Sequence, residues 1–380
     1  MCLLRVAGKV PIPVASTPPN HGTAGFYGYC RPLLAAKITT NQRTPRCRTL
    51  NTPSRPATSF VAKAPSPPRS RSIATTTASM SRHPDFKTVE ASRPDWDTSS
   101  NFRYTKTADP NWTPGSGANA LDSASAAAAK HVAIDPYEPG RAPTLNYKLL
   151  ISAITPRPIG FISTRSGPSS GSDPAGEGEK ETFNLAPFSY FNVVCTDPPL
   201  FALGIASSLA APKDTLRHLV ANGECTVNII SEHFVEAANA TSVDAPAGLS
   251  EWVVSGLTPV HDCGAVAAPR AREAVFAAEC RVESIREFES RAVPGKKSGC
   301  VVLLEGLRFW VREDALDEQR SAVAPEVLRP ISRLGGISYG RTTEAIELPR
   351  PVFARDLGVE GYEKLVKAKA ADAATNGAEE

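Results

Sequence analysis

The chain has 380 residues, with 41% hydrophobic residues, 42 Lys and Arg, 39 Asp and Glu and a net charge of +3. Residues 1–84 hold twelve of the basic residues and none of the acidic ones, so residues 85–380 carry a net charge of −9. The positive charge therefore lies in a Pro-rich segment and not among aromatic residues of a folded face, which argues against nucleic-acid binding. No run reaches the roughly 20 apolar residues that cross a bilayer, so we expect no membrane association.

Residues 1–84 form a basic leader that is rich in Ser, Thr and Pro. This composition is typical of an organelle transit peptide, because a positive, weakly apolar segment responds to an inside-negative membrane potential. Two alternatives stay open, since the prolines oppose a long amphipathic helix: a disordered segment, or an extension upstream of a start at Met80. We expect a mitochondrial protein if the leader is a transit peptide and a cytoplasmic one otherwise.

The rest of the chain divides into three predicted parts. Residues 85–144 contain several prolines and the break Gly115-Ser116-Gly117, which indicates an extended arm or linker. Residues 145–349 form the predicted folded core, which is long enough to bury one hydrophobic core. Residues 350–380 are a C-terminal tail.

Short runs rich in β-branched and aromatic residues recur in the core between turn signals, and they predict β-strands. The predicted strands cover residues 159–163, 183–191, 200–206, 225–230, 274–285 and 300–311. Alternation along residues 278–285 predicts one face toward the core and the other, which includes Glu279, toward solvent. Residues 165–181 are almost all turn formers or charged and predict a flexible loop between two strands.

Three segments are predicted helices that pack against the strands. Residues 214–223 have apolar residues at helical spacing and end at Gly223, and residues 231–239 begin at Ser231, a residue type that caps helices. A third helix is predicted at 325–333, closed by Gly335 and Gly336.

Common catalytic motifs are absent from the sequence. It has no Gly-x-Gly-x-x-Gly after a strand, no Walker A loop, no Gly-x-Ser-x-Gly and no His-Glu-x-x-His, and its six histidines form no cluster. The eight cysteines include no Cys-x-x-Cys, so neither a metal site nor a disulfide framework is predicted and we expect reduced thiols. Catalytic power would then come from a bound cofactor.

Three fragments carry candidate binding residues. Arg157 stands between two prolines and either reaches an anion or is a solvated turn residue. The bend at 184–189 suits a planar heterocycle, although a buried strand with a bulge explains it equally. Lys213 and Thr215 open a predicted helix, whose unpaired N–H groups favour a phosphate; the alternative is a simple N-cap by Asp214.

Together these fragments resemble the flavin-reductase-like FMN-binding split-barrel family. The matching motifs, in chain order, are Thr155-Pro156-Arg157-Pro158-Ile159-Gly160, Asn184-Leu185-Ala186-Pro187-Phe188-Ser189, Lys213-Asp214-Thr215 and Arg333-Leu334-Gly335-Gly336 with Tyr339. The resemblance covers about residues 145–340. The chain has a long loop at 165–181 where many members of the family have a short turn. Substrate access and specificity are therefore the properties least well inferred from the resemblance.

The resemblance implies a mainly β fold, a Greek-key split β-barrel with a few packing helices, and usually a homodimer with FMN near the subunit interface. By resemblance, the phosphate would be bound by Arg157, Ser207, Lys213 and Thr215. The isoalloxazine would be lined by Asn184, Ala186, Pro187 and Ser189. Arg333 and Tyr339 would close the site, either from the same chain or from the partner subunit.

The implied activity is that of an FMN-dependent oxidoreductase in which NADH or NADPH passes a hydride to the flavin. Hydride transfer needs no side chain as general acid or base, so no catalytic residue is assigned. Two alternatives are an FMN-binding module without turnover, such as an electron carrier, and an FMN-dependent oxygenase of a small organic substrate. A barrel with a purely structural role is a third.

Overall fold

A computed structural model describes residues 86–99, 101–119, 121, 128–167, 181–246 and 248–376. The predicted leader at 1–84 and most of the predicted loop at 165–181 lie outside the described residues. The helices are α1 (Phe86–Ala91), α2 (Pro143–Ala153), α3 (Asp214–Asn222), α4 (Val235–Ala240), α5 (Glu251–Ser255), α6 (Pro325–Leu328), α7 (Phe353–Asp356) and α8 (Gly358–Asn376). None of the helices in these ranges is long and apolar enough to cross a membrane.

The described chain is mainly β, as predicted. Its strands are β1 (Arg103–Thr105), β2 (Gly160–Arg165), β3 (Phe183–Phe188), β4 (Phe191–Thr196), β5 (Pro199–Ile205), β6 (Glu224–Ile229), β7 (Pro259–Val260), β8 (Arg270–Ala271), β9 (Phe276–Glu289), β10 (Lys297–Val311), β11 (Ile331–Arg333), β12 (Tyr339–Arg341) and β13 (Glu344–Ile346). Seven of them form one antiparallel sheet in the order β3-β2-β6-β9-β10-β5-β4.

The sheet is strongly curved, although its strand order is open. Its two edge strands, β3 and β4, follow each other in the chain and are joined only by Ser189 and Tyr190. Three Cα–Cα steps separate Phe188 from Phe191 and span no more than about 11 Å, so these ends of the two edge strands must lie close together. A hydrogen bond from Gly204 N to Tyr190 O (2.7 Å) ties the bend to β5. The bend residues Ser189 and Tyr190 and the residue before α3, Lys213, line one pocket.

Apolar residues cover β2 on both faces. Ile162 packs in a cluster with Leu203 and Leu216, and the latter places α3 against this face of the sheet. Phe161, on the opposite face, packs with residues of α4 and α5, including Trp252. A strand buried on both faces lacks the alternation of a half-exposed strand, which is why the sequence shows a continuous apolar run here.

The prediction that Glu279 faces solvent was wrong. Its side chain is fully buried, and its carboxylate accepts hydrogen bonds from the backbone N–H groups of Gly264, Ala265 and Val266 and from Trp310 Nε1 (2.7 Å). Burial alone would raise the pKa of Glu279, but these donors stabilise the carboxylate and the pKa is lowered. The loop at residues 264–266 therefore covers the face of β9 that the alternation predicts to be exposed to solvent.

The helix predictions had different outcomes. The helix at 214–223 is confirmed as α3, which ends at Gly223 with a left-handed backbone (φ 69°). The helix predicted at 325–333 was wrong beyond Leu328: Arg329 is left-handed (φ 43°), Pro330 has no N–H to continue a helix, and β11 follows. Ser231 precedes a 3-10 turn that leads into α4, but its buried hydroxyl has no partner in the described part of the chain.

A segment that precedes the large sheet in the sequence pairs with a segment that follows it. β1 pairs in parallel with β13, and the guanidinium of Arg341 lies 3.9 Å from the ring centre of Trp96. Within residues 86–99 and 101–119, part of the predicted arm therefore lies against the C-terminal part of the chain.

Candidate functional site

A pocket of about 230 Å³ opens at the Ser189–Tyr190 bend. We call it the bend pocket. It is lined by residues 187–190 of the bend, 204–206 of β5 and its end, Tyr147 and Ile151 of α2, and by Arg157, Lys213, Arg333 and Gly336. Three lining residues are cationic and none is acidic. A pocket with this charge favours an anionic ligand.

The structure places the ten predicted site residues in two groups. Five of them line the bend pocket: Arg157, Pro187, Ser189, Lys213 and Arg333. The other five lie in the adjoining strands, helix and turns without lining it: Asn184, Ala186, Ser207, Thr215 and Tyr339.

Lys213 stands at the beginning of α3 as its N-cap residue, with extended backbone (φ −66°, ψ 160°). Its backbone N–H donates to Ser207 Oγ (3.3 Å), which joins the end of β5 to the helix. Asp214 is the first helical residue, and its carboxylate pairs with Arg217 (2.7 Å), so the alternative of an N-cap by Asp214 was wrong. The first turn of a helix has unpaired N–H groups and a partial positive charge, which Lys213 reinforces.

Asn184 and Thr215 meet between β3 and α3, and both are buried. With its Nδ2 directed at Glu251 Oε2 (3.2 Å), the Asn184 amide oxygen accepts from Thr215 Oγ1 (2.9 Å) and from Leu185 N (3.2 Å). Burial raises the pKa of the Glu251 carboxyl behind this group. The network fixes the start of α3 against the strand that leads into the bend.

Arg157 is only 7% exposed, so the alternative of a solvated turn arginine was wrong. Its Nη1 donates to the carbonyls of Ile151 and Ile154 (2.6 Å each), and its Nη2 donates to Leu334 O (3.0 Å). Its Nε has no hydrogen-bond partner within the described residues. The guanidinium thus joins α2 to the segment after β11 and forms part of the pocket wall.

Arg333 faces Arg157 across an antiparallel bridge, in which each backbone N–H donates to the other's carbonyl (3.0 and 2.8 Å). Its guanidinium lies 4.4 Å from the ring centre of Tyr339 and donates to Gly336 O (3.0 Å) and Ser338 O (3.4 Å). Both predicted closing residues therefore come together within one chain. Tyr339 supports Arg333 from behind, outside the pocket lining.

Sequence reasoning did not assign several lining residues to the site. Tyr147 and Ile151 lie four residues apart and so share one face of α2, a spacing that the sequence shows. Tyr190 ends the bend, and burial raises the pKa of its phenol, with Tyr147 acting in the same direction. Gly204 is needed because a Cβ there would lie 2.8 Å from Tyr190 Cβ.

A larger cavity of about 490 Å³ is lined by residues of α3 and β3 and shares no lining residue with the bend pocket. Its lining includes Asn184, His218 and the paired charges of Asp214 and Arg217. His218 Nδ1 lies 3.0 Å from Thr164 Oγ1, and burial lowers the pKa of this imidazole. Because its opposite charges neutralise each other, this cavity is less suited to an anion than the bend pocket.

Comparison with known proteins identifies the family. Residues 152–327 match the flavin reductase like domain. An uncharacterized protein of Halalkalibacterium halodurans is 34% identical over 212 residues, which is 56% of this chain and 93% of that protein. The uncharacterized protein YwrF of Bacillus subtilis is 33% identical over 205 residues, 54% of this chain and 93% of that protein.

Among solved structures, nitrilotriacetate monooxygenase component B from Bacillus cereus is 31% identical, with a TM-score of 0.50 over 58% of this chain and all of that one. The region that matches the family, residues 152–327, holds two of the three cations of the bend pocket, Arg157 and Lys213; Arg333 follows it. The chain belongs to the flavin reductase-like family of flavoproteins.

Proposed function

We propose that this chain is an FMN-dependent oxidoreductase that uses NADH or NADPH, with FMN bound at the bend pocket. The observation that carries the proposal is the charge of this pocket. Three cations and no carboxylate line it, and it lies beside the beginning of a helix. A phosphate ester carries a charge of about −1.5 to −2, and a cation at the beginning of a helix, here Lys213, stabilises it.

The residues present fit the phosphate group of FMN. Lys213 supplies a charge, Ser207 a hydroxyl and the first turn of α3 unpaired N–H groups. Thr215 is 2% exposed and bonds to Asn184, so we assign to both residues the positioning of the helix start and no direct contact with the phosphate.

The walls of the bend pocket also fit an aromatic ring. Pro187, Phe188, Ile151 and Ile205 offer apolar surface, while the Ser189 hydroxyl offers a polar contact at the bend. Ala186 pairs with Ile162 in the sheet and supports the bend through the backbone. When FMN is bound, its ring supplies the hydride chemistry; the chain's part is to orient the ring, neutralise the phosphate and exclude water.

We propose a Greek-key split barrel that pairs with a second copy of this chain. The bend joins the two edges of the curved sheet, as a split barrel requires. Beside the pocket, α2 and β4 expose apolar side chains: Leu150 is 53%, Val193 54% and Val194 56% exposed. A second copy would bury this surface. Light scattering after gel filtration should give a dimer mass that Val194→Asp reduces, and a wild-type monomer would contradict this assembly.

Location stays a prediction, because the leader lies outside the described residues and the curated relatives named above are bacterial. N-terminal sequencing of the mature protein shows whether residues 1–84 are removed, as a transit peptide requires. An intact leader would contradict cleavage.

A visible spectrum tests the proposed function. Purified protein titrated with FMN should show a perturbed flavin spectrum, and mixing with NADH or NADPH in a stopped-flow instrument should bleach the flavin. Binding without bleaching would support an electron carrier, and release of a hydroxylated product would support the oxygenase alternative. Absence of any FMN binding would refute the proposal.

A further inference from the structure

The bend pocket contains more positive charge than one phosphate ester needs. Lys213 and the beginning of α3 form one cationic group, while Arg157 and Arg333 form another on different elements. An FMN phosphate with about two negative charges is matched by Lys213 and the helix N–H groups together. The arginine pair is then left without an anion.

The two arginines lie opposite each other on neighbouring backbone segments. Residues facing each other across an antiparallel bridge have Cβ atoms about 5 Å apart, so both side chains start from the same part of the pocket wall. Neither arginine forms an ion pair within the described residues, and the pocket lining contains no acid. Two positive charges in the lining of one pocket therefore have, in the part of the chain that the structure describes, only backbone carbonyls as hydrogen-bond partners, which leaves their charge available to an anion.

Both side chains are held in place before any ligand binds. Arg157 is nine-tenths buried with an unpartnered Nε, and three backbone carbonyls hold its other nitrogens. Arg333 is stacked on Tyr339, whose hydroxyl donates to Asn239 Oδ1 (2.8 Å). Arg333 donates to only two carbonyls, and a guanidinium has five N–H donors. Its remaining donors are free to bind an oxyanion.

We propose that Arg333, with Arg157 behind it, is a second anion site that binds a phosphate group of the reduced nicotinamide dinucleotide. This inference rests on the proposed function, because the dinucleotide is the second anionic ligand that the reaction brings to the flavin. The phosphate has two possible sources. The pyrophosphate is common to NADH and NADPH, and the 2′-phosphate occurs only in NADPH.

The test uses the full chain with Arg333→Gln and Arg333→Lys, and with Arg291→Gln as a matched control at an exposed loop position. The dissociation constant of FMN is measured first by fluorescence titration. The KM for NADH and for NADPH is then measured with saturating FMN. These two readouts separate the second site from the flavin site.

Arg333→Gln should raise the KM for the dinucleotide about tenfold or more, as expected for the loss of a charge-assisted contact. The affinity for FMN should fall by a smaller factor than the KM rises, Arg333→Lys should recover part of the KM, and Arg291→Gln should change neither quantity. A rise with both dinucleotides identifies the pyrophosphate as the bound group; a rise with NADPH alone identifies the 2′-phosphate.

An unchanged KM for both dinucleotides, or an FMN affinity that falls in Arg333→Gln by as large a factor as the KM rises, would overturn the inference. Calorimetry measures the binding of inorganic pyrophosphate to each protein. Because this measurement does not require FMN, it tests the second anion site even if the proposed function fails. Pyrophosphate should bind wild-type protein more tightly than Arg333→Gln whether or not FMN binds. Equal binding to both proteins would contradict the second anion site.

Discussion

Gly204→Ala should weaken the contact between β5 and the bend. A Cβ at this position would lie 2.8 Å from Tyr190 Cβ, a distance that real Cβ atoms do not adopt. Tyr190 Cβ is attached directly to the backbone, so a change of rotamer cannot relieve the clash. The backbone of the bend must move instead, against the hydrogen bond from Gly204 N to Tyr190 O. Overpacking of this kind costs about 1–3 kcal/mol.

At about 2–4 °C per kcal/mol for a chain of this size, we expect Tm to fall by about 4–8 °C for a cost of about 2 kcal/mol. Circular dichroism during heating measures it, and FMN titration should show weaker binding because Tyr190 lines the pocket. Gly361→Ala in α8 is the matched control and should be neutral or stabilising, since Ala favours helix more than Gly does and its Cβ would meet only the movable end of the Leu357 side chain, at 3.2 Å. An unchanged Tm and FMN affinity in Gly204→Ala would refute this reasoning about the bend.

Two further predictions concern buried ionisable groups. Burial lowers the pKa of His218, so the folded chain binds this proton less well than the unfolded chain, and stability should fall as the pH drops below about 6.5. His218→Asn should flatten the decline of Tm between about pH 7 and 5, and equal slopes in both proteins would contradict this explanation. Glu279→Gln should lower stability by about 2 kcal/mol, because its NH₂ group would face N–H donors at either position: those of Gly264 and Trp310 at Oε1, or those of Ala265 and Val266 at Oε2. Urea unfolding measures the loss, and a variant as stable as wild type would show that the carboxylate is not needed.

Local patterns predicted much of the fold. Alternation and turn residues located six strands of the large sheet, and helical spacing with Gly223 located α3. The seventh strand, β4, was missed because residues 183–191 read as one run and the break at Ser189–Tyr190 has no strong turn signal. The short α6 could have been predicted, since Pro330 stops a helix.

Part of the lining of the bend pocket was predicted from the sequence, and the contacts that were not predicted have a common cause. Lys213, Arg157 and Arg333 are brought together as the family motifs implied. Sequence does not show that Thr215 turns toward Asn184, because that contact joins residues 31 positions apart. The burial of Glu279 likewise depends on a loop from elsewhere in the chain. Contacts of this kind arise from tertiary packing, which single-segment patterns do not contain.

The central claim is that the bend pocket recognises a phosphate ester through Lys213 and the beginning of α3. Comparing FMN with riboflavin tests it directly, because the two ligands differ only in the phosphate. Wild-type protein should bind FMN about 100-fold or more tightly than riboflavin, as expected for charge-assisted contacts worth about 3 kcal/mol. Lys213→Gln should reduce this ratio about tenfold without changing riboflavin affinity, and Lys364→Gln on exposed α8 should leave it unchanged. Equal affinity of the wild-type protein for FMN and riboflavin would contradict the account.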